Sequence, residues 1–408
     1  MTTVAGPLAD WRAPLARRAA EAGPETPRPR EAVGAPSIAH VVFDFDGGGM
    51  ETLVASMARH FGDMGLRVSV LPLSGREGRL GGAMRPHLSA LVPLRPRPVV
   101  SMLFPRSVVR TLRQLRADVV HLHSGSWYKG ALAARLAGVR RIVYTEHGRE
   151  HHDPLLARTV DRVAARLTDH VVAVSARLGG YLVRELGVRR AALHVVPNGV
   201  NTARFVRTPE AAVVRRQLGI DEAALVIGTI GRLEPVKAQE RIVRAIAHVR
   251  ALGLTRPVAA VIWGDGSRRE PLAQLARSLG VGDLVHFPGW TTDAVQAHGA
   301  LDVFVLPSLS EGASMSLLEA MACEAVPLVT PVGASAEMLG PDLQHLVLRG
   351  EHPEVEIAEA IATFATGGQL RATGHRARER VVGHFSEARM MAAYERLYRG
   401  QASTAAVP

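Results

Sequence analysis

The sequence predicts an α/β protein built of two doubly wound halves that face a cleft. Three observations carry this reading. Apolar strands alternate with helix-patterned segments along most of the 408 residues. The alternation stops at Pro197-Asn198-Gly199-Val200-Asn201 and then restarts. In both halves a glycine-rich turn separates a strand from the helix that follows it. Repeated βα punctuation of this kind marks parallel sheets covered by helices.

In the first half, strand Ile38–Phe43 leads through Asp44-Phe45-Asp46-Gly47-Gly48-Gly49-Met50-Glu51 into a helix from Thr52 to Met64. Strand Arg67–Leu71 follows, then an irregular Gly/Pro/Arg stretch. Helix Ser107–Leu115, strand Asp118–His123, helix Tyr128–Ala137 and strand Arg141–Thr145 come next. Helix Pro154–Leu167, strand His170–Val174, helix Ala176–Leu186 and strand Leu193–Val196 complete this half. The second half opens with helix Pro209–Leu218 and buried strand Ala224–Ile230. It continues through helix Gln239–Leu252, strand Val258–Trp263, helix Arg269–Leu279 and strands Leu284–Phe287 and Val303–Leu306. Helix Ser316–Cys323 and strand Val326–Val329 follow. Helices then run from Val355 to Phe364 and from Arg371 to Val382, and a last one, Ser386–Tyr398, is placed to pack back across the other domain.

The expected division is 1–35 as a disordered extension, 36–205 and 206–385 as the two α/β domains, and 386–408 as the returning helix with a flexible tail. Residues 1–35 are rich in proline, arginine and alanine and lack the apolar core of a signal peptide. No run of 18 apolar residues marks a membrane span. A single cysteine, Cys323, permits no internal disulfide and points to a reducing cytoplasm. Its Ala/Met surroundings suit buried packing.

The net charge is +11, unevenly spread. Between Leu66 and Arg116 stand ten arginines (67, 76, 79, 85, 95, 97, 106, 110, 113 and 116), no lysine and one acid, Glu77. Such a field attracts phosphates, whether on anionic lipid, a lipid-linked diphosphate or nucleic acid. An ordinary solvated face written in arginine is the plainer alternative. Nucleic acid is disfavoured, because aromatic interleaving and zinc-finger or RNP-like motifs are missing.

Chemistry concentrates at strand ends. After strand Val303–Leu306, Glu311 and Glu319 straddle a loop-to-helix transition, where α/β proteins hold ligands. Ser316 and Glu319 also have capping-box spacing, and Glu311 could be a solvated loop acid. Gly47-Gly48-Gly49 opens a helix and lets backbone N–H groups approach an anion, but lacks G-x-G-x-x-G spacing; a ligand-free tight turn is the alternative. Gly228-Thr229-Ile230-Gly231-Arg232-Leu233-Glu234-Pro235-Val236-Lys237 places an Arg and a Lys five residues apart, a pair suited to a diphosphate. An ion pair of Lys237 with Glu234 or Glu240 is the structural alternative. Histidines cluster at strand ends: His121 and His123, then His147, His151 and His152. Without H-E-x-x-H or nearby cysteine, a neutral His beside a sugar hydroxyl fits better than a metal.

Taken together, these blocks resemble retaining glycosyltransferases of family 4 (group 1), with a GT-B architecture: two Rossmann-like doubly wound domains facing a central cleft. The resemblance covers about residues 38–398. It rests on Gly47-Gly48-Gly49-Met50-Glu51, Val196-Pro197-Asn198-Gly199-Val200-Asn201 with Phe205, Gly231-Arg232-Leu233 with Lys237, Gly264-Asp265-Gly266, Phe287-Pro288-Gly289-Trp290, and Glu311 to Glu319.

The resemblance implies that the N-terminal domain takes the acceptor and the C-terminal domain a UDP- or GDP-linked sugar, with no cofactor and no metal. It implies catalytic roles for His147, Arg232, Lys237 and Glu311. Arg232 and Lys237 stabilise the departing diphosphate, Glu311 contacts the donor sugar or its phosphate, and His147 stands near the sugar. Glu319 holds the ribose, and Gly312 and Ala313 leave room for the sugar while their N–H groups bind it. Gly48, Gly49 and Gly231 complete the donor-binding set. The implied partner is a glycan or lipid-linked acceptor in cell-envelope or exopolysaccharide synthesis; the arginine-rich stretch, denser than a generic member needs, adds the expectation of an anionic membrane surface on the cytoplasmic face. A GT-B-like epimerase or glycogen-type synthase, and a non-catalytic polyanion-binding protein, are the competing readings. The chain departs from the family pattern at Ala334, where a second glycine is common.

Overall fold

The computed structural model describes residues 36–46, 48–94, 105–149, 154–367 and 369–401. Gly47, Arg95, Arg97, His151 and His152, with the expected disordered extension and tail, lie outside the described residues.

The first domain is a parallel sheet of β1 (Ser37–Val42), β2 (Arg67–Pro72), β3 (Ala90–Leu91), β4 (Val119–His123), β5 (Arg141–Glu146), β6 (His170–Ala173) and β7 (Leu193–Val195). Their spatial order is β3-β2-β1-β4-β5-β6-β7. The second sheet contains β8 (Leu225–Ile230), β9 (Val258–Trp263), β10 (Val285–Gly289), β11 (Val303–Leu306) and β12 (Val326–Val329), in the order β10-β9-β8-β11-β12. Helices cover both faces, so the strands read as near-continuous apolar runs; all six residues of β1 and of β9 are buried.

Each sheet reverses its winding once, between β1 and β4 and between β8 and β11. At such a switch point neighbouring connections leave to opposite faces and open a crevice at the carboxyl ends of the strands. Gly48 and His123 lie at the first crevice, Gly231 and Glu311 at the second. The topology therefore sets the expected donor residues of one half opposite the cleft residues of the other.

The chain crosses between domains twice. Val200 N–H donates to the Phe385 carbonyl and Glu387 N–H to the Val200 carbonyl, both at 2.8 Å. A Cβ on Gly199 would stand 2.8 Å from the Glu387 Cα, which explains the glycine. Helix Glu387–Arg399 then buries Met390, Tyr394, Leu397 and Tyr398 on the first domain. Val200 and Phe205 belong to the core of the second.

Several boundaries differ from the sequence reading. The first helix starts at Gly49, not Thr52, because Gly48 is already its N-cap. β10 runs on through Pro288 to Gly289; as an edge strand it tolerates a residue without an N–H. The irregular stretch after β2 contains helix Gly78–Met84 and the two-residue β3. Short helices Ala294–Gly299 and Ser335–Leu339 were also not anticipated. Cys323 is buried, which pushes its thiol up to about 12, as its apolar surroundings led one to expect. Among the described residues no helix is long and apolar enough to cross a membrane.

Candidate active site

The C-terminal wall of the cleft is assembled from the turns after β8 and β11. Lys237 Nζ lies 2.7 Å from Glu311 Oε1, and Ser308 Oγ donates to the same oxygen at 2.6 Å. The pair is largely withdrawn from solvent, with side-chain exposures of 24% and 8%. The alternative partners Glu234 and Glu240 are thus ruled out; Glu234 instead accepts from Ser267 Oγ at 2.7 Å. Arg232 is exposed beside this pair; its carbonyl accepts from Gln239 Nε2 at 2.8 Å, while its guanidinium makes no hydrogen bond or close ion pair with any described residue. It remains available to an anion.

The capping-box reading of Ser316 and Glu319 is also overturned. Helix Met315–Ala322 is capped by Ser314, whose Oγ accepts from Leu317 N–H. Ser316 Oγ donates to the Ile230 carbonyl at 2.8 Å, tying the helix start to the end of β8. Glu319 is left with one described partner, fully buried His298, whose Nε2 is 3.1 Å from its Oε2.

Glycines let these turns nest. A Cβ on Gly264 would fall 1.8 Å from the Gly231 carbonyl oxygen, and one on Gly266 would fall 2.5 Å from that of Leu233. Above Gly231 itself there is open space. The Gly231 turn is therefore supported from below by the two glycines and open toward the cleft.

From the other domain, Gly48 and Gly49 start helix Gly49–Asp63, and the position of a Cβ on Gly49 is 3.6 Å from Met315 Cγ. The N-termini of two helices, one per domain, thus face the same space, each with unpaired N–H groups and a positive dipole end. His147, half-buried, follows β5. The adjacent Gly148 touches Gly312: a Cβ on Gly312 would stand 2.2 Å from the His147 carbonyl oxygen. The room above Gly312, which the resemblance gives to a sugar, is occupied here by the backbone of the opposite domain. Asn198 Nδ2 donates to the Ala313 carbonyl at 3.1 Å, and Glu337 accepts from Ala176 N–H at 3.1 and 3.2 Å. The domains therefore meet closely. Between them lies a cleft of about 780 Å³, bounded by Arg149, Ser175, Arg177, Glu311, Gly312 and Gly333 among others.

Behind His147 runs a row of polar side chains that the sequence reading caught only in part. Alternate residues of β1, β4 and β5 point to one face of the sheet, placing His40, His121, His123 and Thr145 together, all fully buried. His147 Nε2 is 3.0 Å from His123 Nδ1, and His123 Nε2 is 3.1 Å from His40 Nδ1. His121 is bonded at both nitrogens, to Tyr398 Oη at 2.6 Å and Thr145 Oγ1 at 2.7 Å. One nitrogen each of His40, His121 and His123 lies within 4.8 Å of the others. A metal there would have to break the His121 bonds and would meet no carboxylate among the described residues, so the arrangement fits a hydrogen-bonded network better. Burial lowers these imidazoles, His147 to about 4 and His40 to about 3. All are neutral near pH 7.

His147, Lys237, Glu311, Gly312 and Ala313 are thus brought to one junction, with Gly48, Gly49 and Gly231 at its rim; Arg232 and Glu319 flank it from the C-terminal side. Sequence reasoning missed His40, His298 and the carboxylate Glu146, which accepts from Tyr144, Ser124 and Arg149, and it gave Asn198 no role beyond its place in a motif. His40 had a visible signal, a histidine inside an otherwise apolar strand.

The chain matches the family model of Glycosyltransferase Family 4 over residues 47–204 and that of Glycosyl transferases group 1 over residues 211–380. It belongs to the group 1 glycosyltransferases, and its two parallel sheets form the GT-B fold. It is 30% identical over 319 residues to a D-inositol 3-phosphate glycosyltransferase of Salinispora arenicola, covering 71% of this chain and 70% of that one. Over 223 residues it is 29% identical to the Escherichia coli UDP-Gal:alpha-D-GlcNAc-diphosphoundecaprenol alpha-1,3-galactosyltransferase, covering 52% of this chain and 58% of that one. In structure it resembles Anabaena Alr3699/HepE, solved in complex with UDP and glucose, with a TM-score of 0.77 at 22% identity, over 90% of this chain and 100% of that one.

Proposed function

We propose that this glycosyltransferase moves a hexose from a UDP- or GDP-linked donor to a glycan or lipid-linked acceptor, with retention at the anomeric carbon and without a metal ion. The observation that carries the reading is the grouping of Arg232, whose guanidinium is unpaired among the described residues, and half-buried Lys237 after β8, with Glu311 beside them. Two relatives named for sugar transfer, one from UDP-Gal to a diphospholipid-linked sugar, support the substrate classes.

In the proposed reaction, negative charge grows on the leaving diphosphate as positive charge grows on the anomeric carbon. Arg232 and Lys237 meet the first, joined by the N–H groups at the starts of helices Gly49–Asp63 and Met315–Ala322. Donors fixed before the reaction stabilise the transition state without reorganising. The two side chains carry the charge a divalent ion would otherwise supply. Glu311, already bonded to Lys237 and Ser308, orients the lysine and the donor sugar rather than attacking the sugar as a glycosidase carboxylate does. Glu319, held by His298, binds the ribose hydroxyls. The competing polyanion-binding reading predicts no turnover of any nucleotide sugar.

The proposed setting is cell-envelope or exopolysaccharide synthesis at the inner face of the membrane. Arg106 and Arg110 are exposed on helix Arg106–Leu115, and Arg116 is exposed just beyond it. Each such arginine is worth about 1 kcal/mol at an anionic surface and is screened by salt. Sedimentation with anionic and neutral vesicles at low and physiological salt tests the setting; equal recovery with both would remove it. The chemistry is tested by incubating the protein with UDP- and GDP-hexoses and a lipid-linked acceptor. Transfer with retained anomeric configuration is expected, and inversion or absence of transfer would refute it.

A further inference from the structure

The row His147–His123–His40 contains three imidazoles joined by two hydrogen bonds, with a nitrogen at each end, His147 Nδ1 and His40 Nε2, that has no partner among the described residues. A neutral imidazole carries one N–H. Three rings therefore own three N–H groups, and the two links use two of them. The third must stand at one end of the row, and every ring in the row donates in the same direction.

The two ends are not equivalent. His40 Nε2 is sealed in the domain core, with Tyr398 and His121 around its ring and no hydrogen-bond partner among the described residues. An N–H without an acceptor there is costlier than a bare lone pair, since orphaned buried donors are rarer than under-satisfied acceptors. His147 Nδ1 is also buried as the domains stand, but the residue is only half-buried and sits at the junction against Gly312 of the other domain, where parting of the two walls brings an oxygen of water or ligand within reach. The N–H is therefore favoured at the cleft end.

We propose that His123 is a positioning residue: by donating its Nδ1–H to His147 Nε2, it fixes His147 as the Nδ1–H tautomer and so makes the cleft histidine a neutral hydrogen-bond donor to an oxygen of the bound sugar. His40 completes the row by donating to His123 Nε2. Burial keeps all three rings neutral, so His147 neither titrates near pH 7 nor delivers a proton. This subsite accepts an oxygen lone pair, a hydroxyl or ether, and has no use for a ligand that can only donate. The inference rests on the nucleotide-sugar reading for the identity of that oxygen, but not for the tautomer itself.

The test is long-range 1H–15N correlation of the imidazoles in the full-length, ligand-free protein labelled at histidine. The His147 signal is assigned by its loss in His147→Gln. Wild type is expected to show His147 protonated at Nδ1. His123→Phe keeps a ring but removes the donor, and His147 should then shift toward the Nε2–H form. His123→Asn can place an amide N–H where Nδ1–H stood, and should restore the wild-type tautomer. With a donor in hand, kcat/KM should fall about tenfold in His123→Phe and recover to within about twofold in His123→Asn, while affinity for the free nucleoside diphosphate stays constant. A wild-type His147 protonated at Nε2, or a tautomer unmoved by His123→Phe, would overturn the proposal. If His123→Phe does not fold, wild type and His123→Asn decide by the same spectra: Nδ1–H in both is expected, and Nε2–H in either contradicts the relay. Failure of every donor to bind would strike the functional reading and leave the tautomer result standing.

Discussion

Lys237 Nζ and Glu311 Oε1 meet at 2.7 Å although 74 residues separate them in the chain. The pair joins the turn after β8 to the turn after β11 across the switch point of the second sheet. It holds the lysine's charge in place before any donor arrives, which is the condition for electrostatic preorganisation.

Lys237→Ala should lower turnover by about 10²-fold, as should Arg232→Ala. Their effects on stability should differ. Removing Lys237 leaves a carboxylate that is 8% exposed without its ion partner and with only the Ser308 hydroxyl bonding it among the described residues, at a cost of about 1–3 kcal/mol, whereas exposed Arg232 costs little. Adding Glu311→Gln to Lys237→Ala should recover part of the stability and none of the activity. Urea unfolding and steady-state rates on the four proteins check this; wild-type turnover in both single variants would contradict it.

Glu319→Gln should weaken binding of the free nucleoside diphosphate about tenfold, because an amide keeps only one acceptor oxygen for the ribose hydroxyls. Its effect on unfolding should be small, since Ser314 and not Glu319 caps the helix. Ser314→Ala should show the reverse, losing about 1 kcal/mol of stability. Calorimetry and thermal unfolding separate the two. Normal binding with a large drop in melting temperature for Glu319→Gln would return it to a structural role.

Gly312→Ala places a methyl group where the His147 carbonyl oxygen now stands, 2.2 Å from the ideal Cβ position. The second domain should fold and bind nucleoside diphosphate nearly as before, because Lys237, Arg232 and Glu319 all belong to it. Sugar transfer, which needs both walls, should fall at least tenfold by the loss of alignment. Full transfer activity in this variant would show that the close approach of Gly148 and Gly312 is dispensable.

Acid should destabilise the first domain through its buried histidines. Burial lowers His40 to about 3 and His147 to about 4, and puts His121 and His123 well below their ordinary value. A group whose folded value is depressed binds protons in the unfolded chain first. The stability these histidines allow is therefore present above about pH 6.5 and is lost as pH falls, at up to about 1.4 kcal/mol per pH unit for each group. Urea midpoints at pH 7.5, 6 and 5 should fall progressively, and a flat profile would contradict neutral burial.

Much of the architecture was legible because parallel strands buried on both faces are unmistakable apolar runs, and because the chain restarts its pattern at Pro197–Asn201. The Gly231 turn and the Glu311 to Glu319 segment were legible for a related reason: each marks the passage from a strand toward a helix. What stayed hidden depends on register and on contacts between distant segments. The facing of His40 and His121 on β1 and β4 is a pairing fact that no local pattern encodes, and so is the donation from Asn198 to Ala313. Helix Gly78–Met84 escaped because three of its seven residues are glycine. The capping-box spacing of Ser316 and Glu319 misled because Ser314, two residues earlier, satisfies the same helix end. Lys237 had two acidic candidates nearby in sequence, Glu234 and Glu240, and folding selected neither but Glu311, 74 residues away.

The central claim is that this cleft breaks the bond between a sugar and a nucleoside diphosphate using Arg232 and Lys237 in place of a metal. The most direct measurement is release of free diphosphate from UDP-, GDP- and ADP-hexoses by the purified protein, in excess EDTA, for wild type and Lys237→Ala side by side. Release from at least one donor, unaffected by EDTA and cut about 10²-fold by the substitution, is the expected result. No release from any donor, or release that vanishes in EDTA and returns with Mg²⁺ or Mn²⁺, would contradict it.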